Sequence, residues 1–183
     1  MLIATGISLW FVLKPKPAPT TTSKPVETTP KPVVVESSYS LAINKLNLSS
    51  PIILNVDGND KEAYDKSLEG GVAHLLGSAL PGKPGNTFIF GHSSFYAWKP
   101  GDYKEIFATL DQLEAGDEII ITSNIMRYIY IIFDKQIVSP DEVAVASQNY
   151  SEKKLTLMTC WPIGSDAERI VIISNLKESV PIQ

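Results

Sequence analysis

From residue 37 onward the chain is a succession of short segments in which apolar and polar residues alternate. "SLAINKLNLSSPIILNV" alternates from Leu41 to Leu48 and runs on through Ile52 to Val56. "NTFIFGH" is a compact apolar run, followed by "GDEIIITS" and by "MRYIYIIFDKQIVS", which sets Ile129, Ile131 and Phe133 against Tyr128, Tyr130 and Ile132. "KLTLMTC" and "RIVIISNL" complete the set. A period of two places successive side chains on opposite faces of a sheet, so each run predicts a strand. Turn residues separate them: Asp57-Gly58-Asn59, Pro81-Gly82, Pro84-Gly85-Asn86 and Gly116-Asp117. Helical spacing is confined to Lys61 to Ser67 and Tyr103 to Leu113, and "EGGVAHLLGSALPGKPGN" reads as a Gly-rich connection. Seven or eight short strands with few helices predict a mainly β barrel or sandwich over residues 37–183.

The first 36 residues follow other rules. Residues 1–13, "MLIATGISLWFVL", are apolar and uncharged. As a helix they would reach about 20 Å, short of a hydrocarbon core of about 30 Å, which suits the end of a membrane anchor or a signal-like segment. Residues 14–36 hold six of the thirteen prolines up to Pro32, with Thr and Lys between them. Such a composition supports no core and predicts an extended linker with polyproline character.

Composition narrows the class further. Apolar residues make up 44% and charged residues 20%, the balance of a globular domain. The net charge of −4 is unevenly spread: residues 14–36 carry four Lys and two Glu, the remainder 12 Lys+Arg and 18 Asp+Glu. With no basic face there is nothing to hold a phosphate backbone, so no nucleic-acid partner is expected. One cysteine excludes an internal disulfide and leaves a thiol that is either core filler or reactive.

That thiol, Cys160, stands where "KLTLMTC" gives way to Pro162 and Gly164. The strand sets Leu155 and Leu157 on one face and Thr156, Met158 and Cys160 on the other. A strand end holds a side chain firmly while the loop leaves it open, as a nucleophile needs. A thiolate also needs a base, and there are two histidines, His74 and His92. His92 follows "TFIFG" at another strand end, though spacing alone leaves the choice open. A guanidinium can stabilise a carbonyl oxygen that becomes negative. Arg169, one of two arginines, begins "RIVIISNL", and if that strand pairs with "KLTLMTC" it returns beside Cys160. An arginine there is equally suited to pair with Glu168 or Asp166 in solvent.

"TLMTC", Thr156 to Cys160, resembles the TLxTC signature of sortases, the cysteine transpeptidases of cell surfaces. "GGVAHLLGSALPGKPGNTFIFGH" is similar to the sortase stretch that passes through G-x-x-H and an LPG-x-x-GN turn to a strand ending in the catalytic Gly-His. Arg169 falls where a sortase expects its arginine. The likeness covers roughly Leu41 to Leu176. It implies an eight-stranded β-barrel with Cys160 as nucleophile, His92 as general acid/base and Arg169 as oxyanion donor, and it leaves His74 structural. Thr159, Trp161 and Ser93 are implied as substrate contacts. The implied reaction cleaves an LPxTG-like sorting motif of a surface protein through a Cys160 thioester. The acyl group then passes to an amine from cell-wall precursor or a pilin lysine, without cofactor or metal. A membrane-tethered enzyme with its catalytic domain outside the cytoplasm accommodates the anchor and the linker.

The short Cys-to-Arg connection looks like class D or E sortases, whereas Ser93-Ser94 stands where many sortases carry Arg after the histidine. No plug motif precedes the barrel sequence, unlike pilin-type enzymes. Scattered carboxylates such as Asp102, Glu105 and Glu114 predict no calcium site. Competing readings are a catalytically silent peptide-binding barrel and a sortase-like protease releasing to water. An L,D-transpeptidase would need a Ser-x-Gly-Cys context that "LMTCWP" lacks.

Overall fold

The computed structural model describes residues 38–94, 97–98 and 100–182. The expected anchor (1–13) and linker (14–36) lie outside the described residues. Eight strands form the body: β1 (Tyr39–Ile43), β2 (Leu48–Val56), β3 (Val72–Leu75), β4 (Gly85–Phe90), β5 (Glu118–Thr122), β6 (Met126–Val138), β7 (Lys153–Trp161) and β8 (Glu168–Pro181). They close in the circular order β1-β2-β3-β4-β7-β8-β6-β5, so the eight-stranded barrel expected from the resemblance is present. Two neighbouring pairs are parallel, β2 with β3 and β4 with β7; the others are antiparallel.

Parallel neighbours need a crossover, and the helix α1 (Lys61–Gly70) supplies the one between β2 and β3. It starts at Asp60, whose carboxylate accepts from the N–H groups of Glu62 and Ala63 at 3.0 and 3.1 Å. The predicted helix from Lys61 is thus confirmed and extended to Gly70. The alternating run from Leu41 to Leu48 is broken by a 3-10 turn at Asn44–Leu46, after which Asn47 takes a left-handed conformation (φ 51°). It makes two strands, with Ile43 paired to Leu48, where the pattern had suggested one.

Two corrections have clear physical causes. β3 falls inside the expected Gly-rich connection, because four residues between glycine-bearing turns are too few to show a period. The helix expected over Tyr103 to Leu113 is a series of turns ending in a 3-10 turn, Leu110–Gln112. The N–H groups of Ala108, Leu110, Gln112 and Leu113 each bond three residues back. Phe107, Leu110 and Leu113, all buried, repeat every three residues, the period that a 3-10 backbone aligns on one side.

Apolar residues cluster in two places. One set fills the barrel, including Leu41, Ile89, Phe107, Tyr130, Leu155, Leu157 and Ile172. The other lies outside it beneath α1: Val56, Leu68, Ala73, Phe88 and Phe90, with Tyr64 and Met158 packed against them. β4 is therefore buried on both faces, and all six of its residues are buried.

Candidate active site

Registers alone bring three of the sequence-predicted residues to one level. β4 and β7 run parallel with Phe90 opposite Met158, and two residues further along each chain stand His92 and Cys160. β7 and β8 run antiparallel with Cys160 directly opposite Arg169. Directly opposed residues share a face of the sheet. Cys160 also shares a face with Met158, the outer one, where α1 lies. His92, two residues past the end of β4, thus stands in a row with Cys160 of β7 and Arg169 of β8, residues 68 and 9 apart in sequence along that row.

The row is braced from below. The Thr159 hydroxyl donates to the Gly91 carbonyl at 2.7 Å, and both residues are buried, so the strand that carries the cysteine is tied to the chain that carries the histidine. The His92 carbonyl accepts from the Phe107 N–H at 2.9 Å. A Cβ at Gly91 would stand 2.9 Å from the Phe107 ring, which explains why glycine precedes the histidine. Across the mouth, the Ser94 hydroxyl accepts from the Gly164 N–H at 3.0 Å, joining the loop after His92 to the β7–β8 connection.

A cleft of about 530 Å³ opens over the row, lined by Tyr64, Asp65, His92, Ser94, Cys160, Gly164, Ser165 and Asp166. Cys160 is partly exposed and free, and Arg169 is half-buried. Nη1 of Arg169 donates to the carbonyls of Asp166 and Glu168 at 2.9 and 2.8 Å, which holds the guanidinium stem at the start of β8. Arg169 stands opposite Cys160 across the ladder, with Nη1 on backbone carbonyls rather than on a carboxylate, and it is not among the residues that line the cleft.

Burial holds the His92 imidazole below its ordinary value of 6.5, with the Asp65 carboxylate pulling the other way. The Tyr64 phenol is pushed up to about 12, first by burial, then by Cys160, against an opposing influence of Arg169. Tyr64 therefore lies within electrostatic reach of both. His74, by contrast, is fully buried inside the scaffold. Its Nδ1 accepts from the Asn55 N–H at 3.3 Å, which leaves Nε2 to donate to the Ala79 carbonyl at 3.1 Å.

The three residues expected to touch substrate are placed differently. Thr159 is 3% exposed, with its hydroxyl committed to Gly91. Ser93 is 2% exposed and is not among the residues that line the cleft. Trp161 is half-buried and packs against the barrel interior. Sequence reading missed Tyr64, Asp65, Ser94 and Asp166 as cleft residues. For Tyr64 a signal existed, since it and Leu68 are four apart and share the inward face of α1. Among the described residues, no three His, Cys, Asp or Glu gather in a way that could hold a metal ion.

Comparison with known proteins agrees with the fold. The family model for the sortase domain matches residues 41–177. The chain is 27% identical over 145 residues to Sortase D of Bacillus subtilis, covering 78% of this chain and 65% of that protein. It is 24% identical to Sortase A of Streptococcus agalactiae, covering 76% of this chain and 52% of that protein. The chain thus spans about half to two thirds of the length of these relatives. A Clostridium perfringens Sortase D5 transpeptidase structure superposes with a TM-score of 0.63 at 27% identity, covering 78% and 79% of the two chains. Sortase E of Streptomyces avermitilis, 22% identical with a TM-score of 0.62 and coverage of 78% and 89%, shares the fold.

Proposed function

This chain belongs to the sortase family, and on that footing we propose that it is a cysteine transpeptidase that cuts an LPxTG-like sorting signal and joins the new carboxyl end to an amine. The observation that carries this reading is the register: Cys160 opposite Arg169, with His92 at the same level and on the same cleft.

Each residue then has a definite task. The Cys160 sulfur gives its proton to His92 and bonds to the carbonyl carbon of the scissile amide. The oxygen turning negative is met by the Arg169 fork, whose Nη1 is held on backbone carbonyls while Nε and Nη2 keep their donors for the substrate. As the C–N bond breaks, His92 passes its proton to the departing amine. A histidine held below its usual basicity is a correspondingly stronger acid once protonated, which suits that step. The thioester is opened by an acceptor amine, which loses a proton to His92, and Cys160 leaves with the new amide formed.

The proposed partners are surface proteins bearing such a signal and an amine from cell-wall precursor or a pilin lysine. Attachment through residues 1–13, with the catalytic domain outside the cytoplasm, belongs to the same proposal. The test is intact-mass spectrometry of the protein with LPxTG-like peptides, with and without triglycine. A peptide acyl adduct on Cys160 that triglycine converts to ligated product is the expected result. Ligation that persists in Cys160→Ala overturns the mechanism, and cleavage to free acid at the same rate with and without triglycine makes the protein a protease.

A further inference from the structure

The row of three residues leaves one question of orientation. β4 ends at Phe90, so His92 lies beyond the last ladder pair and the sheet does not fix its ring. Its backbone is anchored through Phe107 and the adjoining Gly91. One ring beside the imidazole comes from α1. The Tyr64 ring lies flat on Phe90, with centroids 5.0 Å apart and planes 7° from parallel. The same ring stands almost perpendicular to His92, at 6.5 Å and 80°. Both arrangements are favoured by aromatic quadrupoles.

We propose that Tyr64 is a positioning residue for His92, its ring clamped on Phe90 so that the imidazole is held in the plane that serves Cys160. This rests on the reading of His92 as the proton-transfer group. Phe90 is 4% exposed and cannot shift without disturbing the packing under α1, so the clamp has a rigid base. The Asp60 cap fixes where α1 begins and hence where its first turn delivers Tyr64. The ring, rather than the hydroxyl, makes both contacts, which separates this role from catalysis by the phenol. The ring also forms part of what keeps water from His92. Charged and titratable groups on the same cleft are Tyr64 and Asp65 of α1, Cys160 of β7 and Asp166 of the β7–β8 connection, with Arg169 of β8 beyond Cys160. All but the first remain in a Tyr64 variant.

The test compares Tyr64→Phe with Tyr64→Leu in the full chain. Only two histidines are present, so there are two imidazole spin systems to follow by NMR, and His74, fully buried elsewhere, serves as an internal reference. In Tyr64→Phe the His92 titration midpoint stays in place and kcat stays within about twofold. In Tyr64→Leu the midpoint rises toward 6.5 as water reaches the ring, and kcat falls about tenfold with little change in KM. His74 is unmoved in both. An unmoved His92 in Tyr64→Leu overturns the proposal, as does a loss in Tyr64→Phe equal to that in Tyr64→Leu. The NMR arm reads His92 without substrate. A wild-type protein without transfer activity therefore counts against the proposed function alone, while the shifted His92 still supports the clamp.

Discussion

Replacing Thr159 by Val keeps the shape of a buried side chain and removes one hydroxyl. In the native fold that hydroxyl bonds the Gly91 carbonyl at 2.7 Å, with both residues buried. A buried acceptor that loses its donor costs about 1–3 kcal/mol. With an m-value of about 1–3 kcal/mol per molar urea, the unfolding midpoint of Thr159→Val should fall by about 1 M. Thr159→Ser makes the informative partner, because it keeps the bond and loses one buried methyl, about 1 kcal/mol. The two variants should be comparably destabilised and catalytically different. The lost bond ties the strand before Cys160 to the chain before His92, beside the longer bond from the Gly91 N–H to the Met158 carbonyl at 3.3 Å, and a misplacement of about 1 Å between reacting groups can cost about a hundredfold. Thr159→Val should therefore lower kcat at least about tenfold, with Thr159→Ser near wild type. Steady-state peptide transfer under conditions where both variants are fully folded gives the comparison. Equal turnover in the two would refute the claim that this bond sets the spacing of the cysteine and the histidine.

Arg169→Lys keeps the charge but loses both the Nη1 bonds to two backbone carbonyls and the Nε and Nη2 donors, so kcat should drop about 10²–10³-fold in the same assay; near-normal kcat would remove Arg169 from the oxyanion role. Gly82→Ala places a Cβ at φ +77° against the Tyr128 ring and strains a turn whose N–H donates to the Tyr130 hydroxyl at 2.8 Å. A loss of about 1–3 kcal/mol in thermal or urea unfolding is expected, and a wild-type midpoint would contradict it. Both histidines are held below 6.5 by burial, so below that value the unfolded chain takes up protons before the folded one does. Stability should be full above pH 6.5 and decline as pH falls toward the depressed folded values, by up to about 1.4 kcal/mol per pH unit for each histidine. Urea midpoints measured from about pH 7 down to about pH 5 check this, and a flat profile would refute it.

The most legible parts of this fold were those with a strong period of two. β7 sets Leu155 and Leu157 against Thr156 and Met158, β8 is marked by the apolar run Ile170 to Ile173, and their pairing brings Cys160 opposite Arg169. β3 was illegible because four residues carry almost no period. The segment from Tyr103 was misread because a three-residue repeat and a helical repeat look alike over two turns. Strand ends marked Cys160, His92 and Arg169 as candidates, but the choice of His92 over His74 and the role of Arg169 came only with the family resemblance. Asp65 was not accessible, and Tyr64 was marked only as an inward-facing residue of its helix. They reach the cleft from the β2–β3 crossover helix, and which part of a sheet a crossover helix overlies is decided by packing against Phe88 and Phe90, not by its own sequence.

The circular strand order has a consequence for recognition. Peptide-binding proteins with open sheets often take up a ligand as an extra strand, so that affinity comes from main-chain groups that every peptide possesses. Here each strand has a neighbour on both sides, and ladder pairing lapses toward strand ends, as where β4 stops at Phe90 while β7 runs on to Trp161. Under the proposed function a peptide in the cleft finds only a short main-chain foothold there, so side chains and loop backbone supply most of the discrimination among sequences.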